Sequence, residues 1–391
     1  MGKEGNGKLA GLFGNPFTPG YGRRPPHLAG RESQIYDIFK HVGATANGEL
    51  VARDVLIYGP RGSGKTALLR EIAEKLENLG VHTTLELMTA TDMQSAEDAR
   101  RELIGVVGQP LWEALKPQEW GLDWRGVQAK WQRGELSRND VRKGLVAKCK
   151  SKPLILLIDE AHLMSPAACG ELLNEMLTIR GRGGPAIVVL AGKPQLAELG
   201  NLSQVSFLER GEIMSLGLLD EQSSGDAVRI PLGKAGIGIA ETALRRVISE
   251  CQGYPQFLQL WGSALWQRAS ELGKKMLDDS DITEVDPVMR LEREEIYLGR
   301  FAGWKGADRE LLVDIANHLV RDGWEERPKL EAIVKSILLR QNRESDECAA
   351  LVDRMVESDF LWRPRGQPRM LPALPSFVSF VSKQGEPGYS D

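Results

Sequence analysis

Cysteine is scarce in this chain of 391 residues. There are four, Cys149, Cys169, Cys251 and Cys348, with no Cys-x-x-Cys pair and no histidine at ligand spacing. That argues against a disulfide framework and against a structural zinc, and a reducing compartment is the expectation. Long apolar runs are lacking too: the strongest, Pro153 to Ile158, falls far short of the roughly 20 residues a membrane-spanning helix needs. The first residues hold no apolar segment of a secretory signal, so a cytoplasmic protein with no membrane partner is expected. Nor does one sign of charge dominate, with 50 basic against 54 acidic residues and a net charge of -4. Any nucleic-acid contact must therefore come from a local patch. What is present, 42% apolar and 27% charged residues, is globular composition, and the length implies two or three domains.

Glycine carries the first positive signal. Val55 to Tyr58 is an apolar run that reads as a buried parallel strand, and Thr66 to Ala73 opens a helix with apolar 3.6 spacing. Between them Gly59, Pro60, Arg61, Gly62, Ser63, Gly64, Lys65 and Thr66 complete the phosphate-loop pattern in its required strand–loop–helix context. The glycines let the backbone curl so that amide N–H groups converge on an anion, and the helix N-terminus, up to Ala67, adds its dipole. Lys65 supplies a point charge for the β- and γ-phosphates, and Thr66 a hydroxyl for Mg²⁺.

A second motif complements the first. Pro153 to Ile158 reads as another buried strand, and it ends in adjacent carboxylates, Asp159 and Glu160, followed by Ala161 and His162. Asp159 is the candidate metal ligand, and Glu160 the candidate base that polarises a water for attack on the γ-phosphate. The pair points to a hydrolase rather than a small-molecule kinase. Both motifs fall where sheets of this kind place ligands, beyond the strand carboxyl ends.

Further strands are expected at Thr83–Met88, Ala186–Gly192 and Ile213–Leu219, alternating with helices as in a three-layer α/β domain with a parallel sheet. Residues 1–24 read as an extended arm, 25–220 as the nucleotide-binding core, 221–299 as an α-helical lid and linker, and 300–391 as a winged-helix domain. In that last part three helical patterns precede a hairpin around Gly366. An insert at 92–150 contains Trp112, Trp120, Trp124 and Trp131, which reads as a small aromatic core or as a surface for a protein partner. Arg363, Arg365 and Arg369 make the wing a candidate DNA-phosphate contact. The third helix, with Glu347, Asp353 and Glu357 beside Arg354, is a poor match to a major-groove reader, so protein docking stays open for this domain.

On these motifs the chain resembles AAA+ ATPases of the branch near origin initiators and STAND signalling ATPases. The resemblance implies a P-loop NTPase sheet with a helical lid and a C-terminal winged helix, ATP and Mg²⁺ as cofactors, and a homo-oligomer. It also implies further site residues. Leu28, Gly30 and Arg31, in the Leu28–Glu32 stretch, would lie beside adenine. Lys193, after the Val189–Gly192 strand ending, would sense the γ-phosphate. Arg210 would be an arginine finger offered to a neighbour's nucleotide, although a surface salt bridge explains it nearly as well. Pro255, in Gly253-Tyr254-Pro255, resembles the lid proline that packs on adenine. Initiators place an arginine near there, and this chain has Gln256, which moves the likeness toward the STAND form. Two functions follow as expectations: an assembling ATPase acting on DNA or a DNA-bound partner, or a nucleotide switch that recruits a protein.

Overall fold

The computed structural model describes residues 14–20, 25–49, 53–79, 84–115, 138–196, 211–344 and 346–384. Arg210, Trp120, Trp124 and Trp131 lie outside them. The chain forms two compact units: Glu32–Tyr58 with Leu68–Met214, and Met1–Arg31 with Gly59–Ala67 and Ser215–Asp391.

The first of these is the α/β unit. Its helices are α1 (Glu32–Ala46), α2 (Lys65–Asn78), whose first residues belong to the other unit, α3 (Ala96–Leu115), α4 (Arg138–Ser151) and α5 (Pro166–Gly181). The strands are β1 (Val55–Tyr58), β2 (Thr84–Thr89), β3 (Leu154–Asp159), β4 (Ala186–Gly192) and β5 (Glu212–Ser215), in the order β2-β3-β4-β1-β5. The first four in that order pair in parallel. Every residue of β1, β3 and β4 is buried, as expected of apolar runs covered on both faces by helices. The register Tyr58↔Gly192 and Ile158↔Leu190 brings the carboxyl ends of β1, β4 and β3 to one edge. Asp54, just ahead of β1, is buried; its carboxylate accepts from Val188 N (2.7 Å) and Arg180 Nη2 (2.7 Å). Burial pushes its pKa up, against the pull of the Arg180 guanidinium.

The second unit is largely helical. The lid comprises α6 (Glu221–Lys234), α7 (Glu241–Cys251) and α8 (Pro255–Leu272). The long α9 (Asp279–Phe301) follows, then α10 (Gly306–Asp322), α11 (Arg327–Arg340) and α12 (Cys348–Glu357). Next comes the antiparallel hairpin β8 (Leu361–Trp362) and β9 (Leu371–Pro372), and α13 (Pro375–Lys383) closes the fold. This is the winged helix: Leu312, Ile315, Val334, Leu338, Val352, Met355, Phe360 and Phe377 fill its core. Two short parallel strands, β6 (Gly238–Ile239) and β7 (Met276–Leu277), also occur after residue 220, where the sequence suggests no strand. Two residues each are too few for an alternating pattern, and main-chain pairing alone defines them. Of the arm, Phe17 is buried in this unit's core, Asn15 Nδ2 donates to Ser263 Oγ (2.8 Å), and Thr18 N to Gln259 Oε1 (3.1 Å).

The start of α9 contains a buried ionic cluster. Asp281 is fully buried, caps the helix reciprocally with Asp278, and accepts from Arg268 Nε (2.8 Å) and Lys274 Nζ (2.7 Å). Burial alone would raise its pKa, but the hydrogen bonds from Lys274 and Arg268 leave it lowered. A lowered folded-state pKa means stability present above the unfolded value of about 3.9 and lost as pH falls through the folded one. Asp281→Ala is therefore expected to cost about 3 kcal/mol in urea unfolding at pH 7. The difference from wild type should shrink as pH falls below about 4.

Candidate nucleotide site

The phosphate loop runs on from Tyr58 at the end of β1, and Lys65 opens α2. Gly62 (φ 80°) and Gly64 (φ 95°) occupy the left-handed region, which curls the loop and turns successive amides inward. Lys65 is buried, and its Nζ donates to Gly59 O (2.8 Å) and Pro60 O (2.9 Å). Ser63 is also buried, and its Oγ has no hydrogen-bond partner among the described residues. A buried hydroxyl left unsatisfied costs free energy, so an orphan inside a curl of amides suits an anion with several acceptor oxygens. A nucleotide phosphate fits these residues on that ground.

The loop is held by its own unit. Arg31, 6% exposed, donates from Nη2 to Ser63 O (3.1 Å) and Gly217 O (2.6 Å). Its guanidinium thus braces the loop, while Leu28 and Gly30 precede it in a tight turn. Tyr254, directly before Pro255 at the first turn of α8, donates its hydroxyl to Arg61 O (2.6 Å) and accepts from Arg300 Nη2 (2.8 Å). A Cβ on Gly62 would stand 2.1 Å from that hydroxyl oxygen, so Gly62 is needed for the approach as well as for the turn. Burial raises the Tyr254 pKa, with the Arg300 charge opposing, and the phenol stays a donor at neutral pH. Asp359 accepts from Arg61 N (3.0 Å). Tyr254, Arg300 and Asp359 were not singled out from the sequence; the glycine-rich turn before Pro255 was the only local hint.

The acidic motif belongs to the α/β unit. Asp159 ends β3, is 7% exposed, and its Oδ1 accepts from Glu160 N (2.9 Å). Glu160 has left-handed backbone (φ 50°, ψ 31°) and opens a single 3-10 turn, Ala161–Leu163. A non-glycine residue there stores roughly 1 kcal/mol or more, and such strain concentrates at functional sites. Its side chain remains 42% exposed, within reach of water. His162, present in the motif but given no role from sequence, sits between this carboxylate and the end of β4. Its Nδ1 accepts from Lys193 N (3.3 Å) and lies 3.5 Å from Glu160 Oε2. A Cβ on Gly192 would meet His162 N at 3.0 Å. Lys193 is thus joined to the general-base candidate through one imidazole.

Among the described residues no group of three or more His, Cys, Asp or Glu side chains is placed to hold a metal on its own. That suits a cation held by one carboxylate, one hydroxyl and phosphate oxygens. Burial pushes the Cys149 thiol up to about 12 and the Cys251 thiol well above its usual value, so neither is a nucleophile at neutral pH. In the wing Arg363, Arg365 and Arg369 are exposed. On α12, Arg354 is engaged with Asp308 (2.5 Å) and the Trp304 ring (4.4 Å). No helix among the described residues is long and apolar enough to cross a membrane.

A parallel sheet in the order β2-β3-β4-β1-β5, a phosphate loop after β1 and an acidic pair after β3 define an AAA+ P-loop NTPase. The comparisons agree. Residues 52–199 match the family described as AAA domain. No curated protein matches the sequence. Among solved structures, the chain is similar to the Walker-type ATPase PABY2304 of Pyrococcus abyssi, with 14% identity and a TM-score of 0.57, over 92% of this chain and 97% of that one. It is also similar to the ORC2 protein of Aeropyrum pernix, solved in ADPNP–ADP complexes, with 15% identity and a TM-score of 0.56, over 93% and 97%. The chain is an AAA+ P-loop ATPase, origin-initiator-like in its fold.

Proposed function

We propose that this chain binds Mg²⁺ and ATP, hydrolyses ATP to ADP and phosphate, and assembles through ATP at subunit interfaces to act on DNA or a DNA-bound partner. The observation that carries the catalytic part is Glu160. It is a strained, solvent-reachable carboxylate directly after β3, at the sheet edge where β1 also ends and runs on into the phosphate loop. In this reading amides 62–67 and Lys65 hold the phosphates, while Ser63 Oγ satisfies itself on them. Thr66 and Asp159 hold Mg²⁺, which supplies charge neutralisation on the phosphate oxygens. Glu160 takes the proton of the attacking water. Lys193, joined to Glu160 through His162, reports on the γ-phosphate. Leu28, Gly30, the Arg31 main chain and Pro255 frame the base. Arg210 is offered to a neighbouring subunit's nucleotide.

For the DNA part, the exposed wing arginines are the support, and Arg354 is already committed within its own domain. Phosphate contacts by the wing, rather than base reading by α12, are therefore the form DNA binding takes here. Mass photometry with ATP, ADP or no nucleotide, with and without duplex DNA, tests the reading. ATP-dependent oligomers that bind DNA with steep salt dependence are expected, and negligible DNA affinity at low salt with ATP removes the DNA part.

The second reading, a STAND-like switch that recruits a protein, is favoured by one observation. Lid Tyr254 and winged-helix Asp359 both grip Arg61 of the phosphate loop, so loop contents and C-terminal posture are physically joined.

A further inference from the structure

The winged helix places a carboxylate directly on the phosphate loop. Asp359 follows α12, is 4% exposed, and its Oδ1 accepts from the Arg61 amide at 3.0 Å. The side chain is not there by a free rotation. Asp359 has left-handed backbone (φ 57°), its N donates to Val356 O (3.2 Å), and the next residue, Phe360, is fully buried with its N on Met355 O (2.9 Å). Withdrawing the carboxylate requires moving the end of α12. On the other side of the Arg61 peptide, Tyr254 holds the carbonyl, and Arg300, with Nη1 buried and unpartnered among the described residues, holds Tyr254. One peptide of the loop is thus clamped from both sides, once by an anion.

The end of the nucleotide that this anion faces follows from Lys65. Its ammonium lies on Gly59 O and Pro60 O, the two carbonyls directly before Arg61. In a phosphate loop that ammonium serves the β- and γ-phosphates. The Asp359 carboxylate therefore stands at the side of the loop where the terminal phosphate comes. A third phosphate brings additional negative charge toward a fixed carboxylate, and like charges a few ångström apart in a partly buried site repel strongly. The Arg61 amide, already given to Asp359, is also withdrawn from the set of donors open to phosphate oxygens.

We infer that Asp359 is a specificity-determining residue that sets the preference of this site for ADP over ATP while the winged helix is docked, and that ATP is accommodated only by releasing Asp359 from Arg61. The inference rests on the reading of this site as a nucleotide site and adds which nucleotide the docked C-terminal domain selects.

The test is binding, not turnover. Asn is isosteric with Asp, keeps an acceptor for the Arg61 amide, and tolerates left-handed backbone, so Asp359→Asn removes the charge and little else. Titration calorimetry of the full chain with Mg-ADP and with Mg-ATP, on a Glu160→Gln background to stop turnover, gives both dissociation constants. Asp359→Asn is expected to tighten ATP about tenfold and to change ADP less than twofold, a discrimination of the size a single nearby charge produces. Asp359→Glu, which keeps the charge, is expected to retain the preference for ADP. Hydrogen exchange of residues 355–374 should rise with ATP relative to ADP in the parent protein. Equal shifts for the two nucleotides, or none, overturn the inference while leaving the nucleotide site intact. Absence of any binding by the parent removes the nucleotide site itself.

Discussion

Glu160→Gln is expected to lower steady-state ATP hydrolysis by roughly 10²–10⁴-fold, the range general bases contribute, with ATP still bound. The reason lies in the local geometry. The carboxylate is 42% exposed and the Glu160 amide is tied to Asp159 Oδ1, so exchanging one carboxylate oxygen for an amide nitrogen leaves main chain and metal ligand where they are. Glutamine retains size and hydrogen-bonding ability but has no basicity to take a proton. A phosphate-release assay reads the rate, and calorimetry reads retained ATP affinity. Equal turnover by both proteins would strip Glu160 of the role of base and send the search to another group able to orient water.

Lys65→Ala is expected to weaken nucleotide binding by roughly 10²-fold, the affinity equivalent of losing a charge-assisted hydrogen bond of up to about 3 kcal/mol. Two effects combine. The triphosphate loses its point charge, and the carbonyls of Gly59 and Pro60, which accept from Lys65 Nζ, lose that donor, so the loop also loses definition. Lys65→Met, with a stem of similar reach and no charge, separates the contributions: the electrostatic loss persists while the packing of a residue 7% exposed is largely kept. Titration with Mg-ADP and a thermal melt of each variant check the outcome, and affinity unchanged in both variants would place the phosphates elsewhere.

The ATPase core was legible because its signals are local. Val55 to Tyr58, Leu154 to Ile158 and Ala186 to Gly192 are continuous apolar runs, and such runs become strands buried on both faces. Gly62 and Gly64 stand where a left-handed curl is required. The helices of the lid and winged helix, α7, α8 and α10 to α12, follow their apolar spacing to within a few residues. The hairpin around Gly366 was equally readable, because an apolar pair on each side of a glycine turn defines it.

Other features could not be read in this way. Asp359 lies 298 residues from Arg61 in sequence, and no periodicity or motif connects them. Arg31 was expected beside a base, and its guanidinium instead braces the loop through Ser63 O and Gly217 O. His162 looked like the tail of an acidic motif until the end of β4 closed on it. The strands β6 and β7 are too short to leave any pattern.

By itself, then, the sequence determined what each stretch of backbone had to become: curled where glycine permits positive φ, extended where apolar runs are continuous, helical where the apolar spacing is 3.6. These are properties of neighbours along the chain, and short-range sterics and burial fix them. Only the tertiary structure decided which charge meets which peptide, that Asp359 and Tyr254 take the two sides of Arg61 and that His162 stands between Glu160 and Lys193. Electrostatic and hydrogen-bond energies depend on distance through space, and distance between remote residues exists only once the chain has packed.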